Sequence, residues 1–485
     1  MGITPSTVPP KPRLGLRVWM DRVLVECDRA AAGFEADPVH DLRVALRRCR
    51  SLADGLMAID SDPGWKDMKK AGKKLFQSLG DLRDMHVMQE WVEKLGAADD
   101  PVTLKLLEHV HAREAEGEQQ AFLQLQQFDR KQWRQWSRVL PRRAGRVRLG
   151  SVVFRHLALE KWTAAYDLHK RAMRTRSQTA LHELRIGIKR FRYTVENFLP
   201  QLHASWGDDL KELQDLLGEV HDLDVLWATA TQIAAFPDLD SRNRWREKLN
   251  AERSQRVDRY REKMIGRESL WHRWREELPS GPQLRSAAMA RVRVWASYLD
   301  PDISHSQRVV RMALQLFDGL ARAGLLGTGP HHDSRFVLEA AALLHDVGRA
   351  RGEKGHQKDS FKLIRDMALP AGWTARELAV AAAVARFHRG ALPRSRNMAL
   401  LRLDLPDRKI TAQLSAVLRL ANRLDFRNGH QPSVSVEAHD DIVTLHVPGY
   451  RALDRAAEEI AAARHLLEVV LRRPVLVKPQ RAQHH

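Results

Sequence analysis

Cysteine is scarce in this sequence, which has Cys27 and Cys49 alone among its 485 residues. Two thiols exclude a disulfide framework of the kind that stabilises small secreted domains, and they are too few for a zinc finger. This usage is typical of a protein kept in a reducing compartment. The sequence therefore predicts a cytoplasmic location.

Long apolar runs are also missing, since none approaches the ~20 residues that cross a bilayer as a helix. We therefore expect no membrane partner. Residues 1–14 are rich in proline and lack an apolar signal core, which predicts a short disordered arm. The remaining length is enough for two or three domains with cores of their own.

Acidic residues are too few to balance the basic ones, because 80 Lys and Arg stand against 61 Asp and Glu. The formal net charge is +19. A field of this sign attracts polyanions, and binding to it weakens with added salt. The charge predicts a partner rich in phosphate groups.

One short basic helix is the most distinctive feature of the first half. At 100° per residue, four of its side chains fall on one stripe, while apolar residues face elsewhere. Arginine forks match pairs of phosphate oxygens. A solvated basic face is the alternative for an isolated stretch of this kind. The stripe consists of His40, Arg43, Arg47 and Arg50.

The same pattern occurs a second time, at His182, Arg185, Lys189 and Arg192. A second matching pair of segments follows, because residues 79–87 correspond to residues 217–225. Each of these contains a basic residue followed by an aspartate, Arg83-Asp84 in one and His221-Asp222 in the other. Internal duplication indicates two copies of one structural unit.

A duplicated, histidine-headed basic helix followed by such a segment resembles the CHAD family (conserved histidine α-helical domain). The resemblance covers residues 15–276, with repeats at about 15–140 and 150–276 and a predicted break at Pro141 and Gly145. It implies two similar helical bundles around a basic channel, inorganic polyphosphate as the ligand, and a location that includes polyphosphate granules. The implied ligand-binding residues are His40, Arg43, Arg47, Arg50, His182, Arg185, Lys189 and Arg192, with Lys69 and Lys73 extending the surface.

Residues 277–283 contain two prolines, a glycine and a serine, and they predict a linker. The sequence beyond it is rich in alanine and leucine at helical spacing. Near its end, Ser433–Glu437 and Ile442–Val447 alternate as a hairpin does, and Val475–Lys478 predicts a last strand. The second half is therefore expected to be α-helical with a small β element.

Metal-ligating residue types recur through this second half. An apolar run ends at His345-Asp346, which places an imidazole and a carboxylate side by side at a helix end. Other helices can add further ligands around one divalent ion. The remaining candidates are His305, His356 and His388.

In order and spacing these residues resemble the HD superfamily, and in particular the C-terminal HD domain of the exopolyphosphatase / guanosine pentaphosphate phosphohydrolase family. The resemblance covers an HD domain over residues 284–485. It implies a divalent metal ion such as Mg²⁺ or Mn²⁺ on His305, His345 and Asp346, with Asp346 catalytic, and hydrolysis by metal-activated water. The family's distal aspartate is replaced by Asn422, and Asp425, one turn later, is expected to take its place as the fourth ligand.

Together these features predict a mainly α chain, with duplicated helical bundles followed by an all-α HD domain carrying a small C-terminal β element. The predicted function is polyphosphate binding joined to an HD phosphohydrolase-like domain acting on polyphosphate or another phosphorylated substrate. One alternative is a nucleic-acid-binding protein, although the basic helices offer few aromatic side chains for base stacking. Another is a nucleotide or alarmone phosphohydrolase that uses the helical domain as a tether. Activity of the HD domain and the oligomeric state stay open.

Overall fold

The computed structural model describes residues 15–32, 34, 36–327, 333–394, 396–425, 433–439 and 441–479. The predicted disordered arm, residues 1–14, lies outside them. The chain divides into two compact units between Ser280 and Gly281. Helix formation begins again at Gly281, inside the stretch predicted as a linker.

In the described part of the first unit, all the regular elements are α-helices. Some of its helices begin at side chains that accept hydrogen bonds from free N–H groups: Asp62 and Asp100 do so ahead of helices that start with proline, and Ser177 caps the second basic helix. The helices are α1 (Leu16–Ala32), α2 (Ala36–Leu56), α3 (Pro63–Ala71), α4 (Lys73–Leu95), α5 (Pro101–Gln126), α6 (Arg130–Ala144), α7 (Val152–Thr175), α8 (Gln178–Phe198), α9 (Pro200–Gln232), α10 (Leu239–Met264) and α11 (Leu270–Glu276).

The helices of the first unit pack in corresponding pairs. Pairs α1–α2 and α4–α5 in the first half correspond to α7–α8 and α9–α10 in the second. Helix α2 also packs on α8, and α4 packs on α9, so equivalent helices of the two repeats meet. The expected break at Pro141 is wrong, because α6 continues through this residue and ends at Ala144. Proline at this position removes the one hydrogen bond that its N–H would donate to the Ser137 carbonyl, and the helix continues for only three more residues.

Apolar residues on one side of each basic helix are buried, and this burial sets the direction of the basic side. Leu42, Leu46 and Cys49 of α2 are buried, as are Leu184 and Ile188 of α8. Since side chains three and four residues apart share a helix face, the intervening basic residues lie away from this core. The sequence pattern therefore positions the cations.

The second unit is also mainly α, with a small sheet. The hairpin and the last strand are confirmed: β1 (Ser435–His439) pairs antiparallel with β2 (Ile442–Val447), which pairs parallel with β3 (Val475–Pro479). A 3-10 helix, Val347–Arg351, follows α14. The helices are α12 (Gly281–Leu299), α13 (Ile303–Arg322), α14 (Ser334–Leu344), α15 (His356–Arg365), α16 (Ala375–Arg386), α17 (Met398–Leu401), α18 (Leu405–Arg423) and α19 (Arg455–Leu471).

The prediction of a mainly α chain with a small β element at its end is thus confirmed. Among the described residues, no helix combines the length and the apolar character that crossing a membrane requires.

Candidate functional site

Four basic side chains from the two repeats form an inter-repeat cluster: Arg43 and Arg47 on α2, and Arg185 and Lys189 on α8. Each of them is partly buried. Burial, followed by the charges of Arg185, Arg47 and Arg43, lowers the pKa of Lys189 from 10.5 to about 8. The four cations are therefore close enough to repel one another.

The cluster is short of anionic partners. Within the described residues, none of its four cations forms an ion pair with a carboxylate, and the buried Nε of Arg43 has no hydrogen-bond partner. Charges kept together with few counterions, in a partly desolvated place, favour an incoming anion. The arrangement can bind several phosphate groups.

Two equivalent aspartates of the repeats border the cluster. Burial raises the pKa of Asp84, although Arg43, Arg185 and Lys189 oppose the change. Burial also raises the pKa of Asp222 to about 6, and the charge of Asp84 adds to this. The duplicated Arg83-Asp84 and His221-Asp222 segments indicated a repeat in the sequence without assigning these aspartates a role. Their repetition in the sequence could have identified Asp84 and Asp222 as candidate site residues.

The last residue of each basic stripe contacts other groups of the protein. Arg50 donates a hydrogen bond to the Lys69 carbonyl oxygen at 2.6 Å and lies over the Phe76 ring, 5.1 Å from its centre. Arg192 lies 3.9 Å from a carboxylate oxygen of Glu196. Both guanidiniums therefore have partners within the protein, and a ligand would have to compete for them.

The remaining predicted basic residues lie around the cluster in different environments. His40 and Lys73 are exposed, whereas Lys69 pairs with Asp54. The Nδ1 atoms of His182 and His221 are 3.2 Å apart, so one ring donates a hydrogen bond to the other. Burial, with the charges of Arg185 and His182, lowers the pKa of His221 to about 4. His221 is therefore neutral at pH 7.

In the second unit, Asp346 lies between two groups of histidines. Nitrogen and oxygen atoms of His305, His345 and Asp346 lie within 4.8 Å of one another, as do those of Asp346, His356 and His388. The distances from Asp346 Oδ1 to the Nε2 atoms are 3.6 Å for His345, 3.0 Å for His356 and 3.7 Å for His388. Three imidazoles from different parts of the second unit thus lie within 3.7 Å of one carboxylate oxygen, and His305 lies close to His345 and Asp346.

The backbone fixes the orientation of the inner histidines. Nδ1 of His345 donates to the Ala342 carbonyl at 2.7 Å, and Nδ1 of His388 donates to the Ala385 carbonyl at 2.7 Å. Burial lowers the pKa of both rings, so both are neutral and their Nε2 atoms carry lone pairs. This is the usual arrangement of metal-bound histidine, in which the second ring nitrogen binds a carbonyl or carboxylate.

The same atoms make a poor hydrogen-bond network without a cation. The buried Nε2 of His345 has no partner, and Nε2 of His388 lies 3.2 Å from Nε2 of His356. Burial alone would raise the pKa of Asp346, but His345 and the hydrogen bond from His356 hold it well below its ordinary value. An ionised carboxylate beside the Nε2 lone pairs of His345 and His388 therefore fits a divalent metal ion.

Asp425 occupies a different place from the one expected. Its carboxylate accepts two hydrogen bonds from Arg308, at 2.7 and 2.8 Å, and one from His305 Nδ1 at 2.6 Å. It therefore orients His305 instead of joining the group around Asp346. Nε2 of His305 lies 2.9 Å from the side-chain oxygen of Asn422.

A hydroxyl group that the sequence did not single out connects the elements of this site. Ser360 Oγ donates to the His345 carbonyl at 2.7 Å and accepts from Gly348 N at 2.9 Å. The backbones are so close that a Cβ at Gly348 would lie 2.1 Å from the His356 carbonyl oxygen. Helix α15, which carries His356, is thereby fixed against the His345-Asp346 turn.

Comparison with known families matches residues 19–231 to the CHAD domain. Residues 289–449 match the Ppx/GppA phosphatase family, domain III. No curated protein matches the chain. The chain is therefore similar to the CHAD domain over residues 19–231 and to domain III of the Ppx/GppA phosphatases over residues 289–449.

Proposed function

We propose that the first unit binds inorganic polyphosphate and that the second unit is a metal-dependent phosphohydrolase of the HD type. The observation that carries the first part is the inter-repeat cluster, in which two repeats contribute two cations each and none has a carboxylate partner among the described residues. A linear chain of phosphates offers regularly spaced oxygens to such a row of donors. The two matched domains support a phosphate-related activity of this kind.

The aromatic side chains favour polyphosphate over a single-stranded nucleic acid. Binding of bases requires exposed rings among the cations. Of the rings on α2 and α8, Phe191 and Phe198 are buried, which leaves Tyr193 beside Lys189. A ligand composed of phosphates alone needs no such rings.

Isothermal titration with long-chain polyphosphate tests the binding. Replacement of Arg43, Arg47, Arg185 and Lys189 by alanine should abolish it. A matched control variant removes the same charge from another surface and should bind nearly as well as the wild type. It replaces four cations of α10 by alanine: Arg246, Arg259, Arg261 and Lys263. Absence of wild-type binding, or equal losses in both variants, would refute the proposal, and equal competition by RNA would favour a nucleic-acid-binding protein.

For the second unit, we propose that His305, His345, Asp346, His356 and His388 hold the metal. A bound divalent ion lowers the pKa of a water molecule and stabilises charge on a phosphoryl oxygen. Four imidazoles and one carboxylate suit Mn²⁺, Fe²⁺ or Zn²⁺ better than Mg²⁺, which prefers oxygen ligands. Asp425 and Arg308 orient His305, and Asp346 is the negative charge nearest to the ion.

Metal analysis of the purified protein, with and without Asp346→Ala, tests this assignment. We expect bound transition metal in the wild type, loss of it in the variant, and loss of phosphate release from polyphosphate. Polyphosphate binding by the first unit should not change, which provides the control for folding. Unchanged metal content together with unchanged hydrolysis would refute the assignment, while release of phosphate from nucleotides alone would favour the tethered nucleotide hydrolase.

A further inference from the structure

A cavity of about 360 Å³ lies beside the first basic stripe, among α2, α4 and α5. Sites for small molecules typically have volumes of roughly 300–1,000 Å³. The cavity combines apolar, cationic and acidic surfaces. Its lining includes Val39, Leu79, Leu82, His40, Arg43, Arg83, His86, Glu114 and Glu118, together with Phe34 and Asp37.

The apolar wall of the cavity offers contacts that a polyphosphate chain, which has no apolar groups, cannot make. Val39, Leu79 and Leu82 are buried, and the ring of Phe34 makes an edge-to-face contact with Phe122, with their centres 5.9 Å apart. Phosphate groups gain nothing from apolar contact, whereas a flat heterocycle gains from both burial and ring contacts. This wall favours a ligand with a ring.

The acidic residues of the cavity point to a ligand with hydrogen-bond donors. Glu114 and Glu118 are one turn apart on α5, and Glu114 Oε1 lies 2.6 Å from His86 Nε2. Ionised carboxylates only accept hydrogen bonds, so they repel further phosphates and attract hydroxyl or amino groups. A bare polyphosphate carries no such donors within its chain.

The cationic side of the cavity connects it to the inter-repeat cluster. Arg43 belongs to both, and its unpartnered Nε is buried. Exposed His40 stands on the same helix, and Arg83 stands on α4. A ligand whose ring lies in the cavity can therefore extend phosphates into the cluster.

We infer that this cavity binds the nucleoside end of a nucleoside 5′-polyphosphate, with the base against the apolar wall and its amino or ribose hydroxyl groups donating to Glu114 and Glu118. The inference rests on the proposed phosphate-binding role of the inter-repeat cluster. The phosphates lie on Arg43 and continue toward Arg47 and the second repeat. Binding involves no covalent step.

The second repeat lacks the same arrangement at the equivalent positions. His182 and His221, which correspond to His40 and Arg83, are in contact with each other. Asp224, which corresponds to His86, accepts a hydrogen bond from Arg253 at 3.1 Å. A guanidinium thus contacts this position in the second repeat, whereas the Glu114 carboxylate contacts it in the first, and we expect one nucleoside site in each chain.

The test compares ATP and GTP with inorganic tripolyphosphate by isothermal titration of the full chain, with a chelator present to prevent hydrolysis and Mg²⁺ complexes. All three ligands carry three phosphates, and tripolyphosphate has the greater charge density. Charge alone therefore predicts tighter binding of tripolyphosphate. We expect at least one of the nucleotides to bind at least tenfold more tightly than tripolyphosphate, with one site per chain.

The double variant Glu114→Gln/Glu118→Gln should reduce this preference at least fivefold, because the carboxylate acceptors are lost. The control Glu108→Gln/Glu116→Gln removes the same charge from the same helix and should keep the preference. Equal affinities for nucleotide and tripolyphosphate would overturn the inference and leave the phosphate-binding role intact. A preference unchanged in the Glu114/Glu118 variant would overturn it as well, and failure of every ligand to bind would refute both proposals.

Discussion

Polyphosphate binding should weaken as the pH rises above 8, because Lys189 then loses its charge. Its pKa of about 8 results from burial and from the neighbouring charges of Arg185, Arg47 and Arg43. The lysine is mostly charged at pH 7, but at pH 9 roughly one in ten remains so. If the charged form is needed, the affinity falls about tenfold for each pH unit above 8.

The same linkage predicts proton uptake on binding. A shift of the Lys189 pKa from 10.5 to about 8 corresponds to roughly 3 kcal/mol, part of which a bound anion recovers by screening the neighbouring guanidiniums. Near pH 8, binding should take up about half a proton at each site. Titration calorimetry in buffers of different ionisation enthalpy measures this number directly.

Lys189→Arg supplies the control, because a guanidinium stays charged throughout this pH range. The variant should bind equally well at pH 7 and pH 9 and take up no proton through this position. The pKa of Lys189 is lower in the folded state than in the unfolded state, so the unfolded state binds more protons between about pH 8 and 10.5. Titration of this lysine therefore increases the stability of the free protein as the pH rises through that window. A loss of affinity above pH 8 will thus not result from unfolding through this group. An affinity that is constant from pH 7 to 9, or a parallel decline in Lys189→Arg, would refute the reasoning.

Three further outcomes follow from the geometry. Asp222, whose pKa is about 6, is ionised at pH 7 and neutral at pH 5, so the polyphosphate affinity of the wild type should rise from pH 7 to pH 5. In titrations, Asp222→Asn should bind more tightly than the wild type at pH 7 and show a smaller rise toward pH 5. Ser360→Ala removes hydrogen bonds to His345 and Gly348, which should lower the free energy of unfolding by about 1–3 kcal/mol in urea. The variant should also lose its metal to a chelator faster than the wild type, as measured by metal analysis. Metal loss at the wild-type rate would contradict the positioning role of Ser360. Gly348→Ala should destabilise the protein by at least about 1–3 kcal/mol in the same unfolding assay, because its Cβ would overlap the His356 carbonyl.

The sequence was sufficient for the fold class and for the correspondence between the repeats. Apolar residues at helical spacing buried the side of α2 that contains Leu42 and Leu46, and this left Arg43 and Arg47 on the other side. Because the second repeat has the same spacing, its own cations were predicted to lie in the equivalent place. Periodicity and duplication are local properties, so they can be read without knowledge of tertiary contacts.

Arg50 and Arg192 show where this reasoning stops. By helical spacing they belong to the same stripes as the cluster cations. Their partners, however, are the Lys69 carbonyl on α3 and the Glu196 carboxylate one turn further along α8. A stripe predicts which side of a helix a residue occupies, whereas its neighbours there depend on other elements.

Asn422 and Asp425 show a similar limit with a larger chemical consequence. Their separation of three residues places both on one side of the chain, which made Asp425 a reasonable substitute for the missing aspartate. Arg308 on α13 binds both oxygens of that carboxylate, and no local pattern in the sequence could have predicted this contact.

Asp346 is then the one carboxylate in the proposed ligand set, so a bound divalent ion would keep a net positive charge. A less neutralised ion holds its protein ligands with less electrostatic energy but attracts phosphate oxygens more strongly. The replacement at position 422 therefore does not by itself exclude phosphate chemistry at this site, because the same change that weakens the hold on the metal strengthens its pull on an anionic substrate.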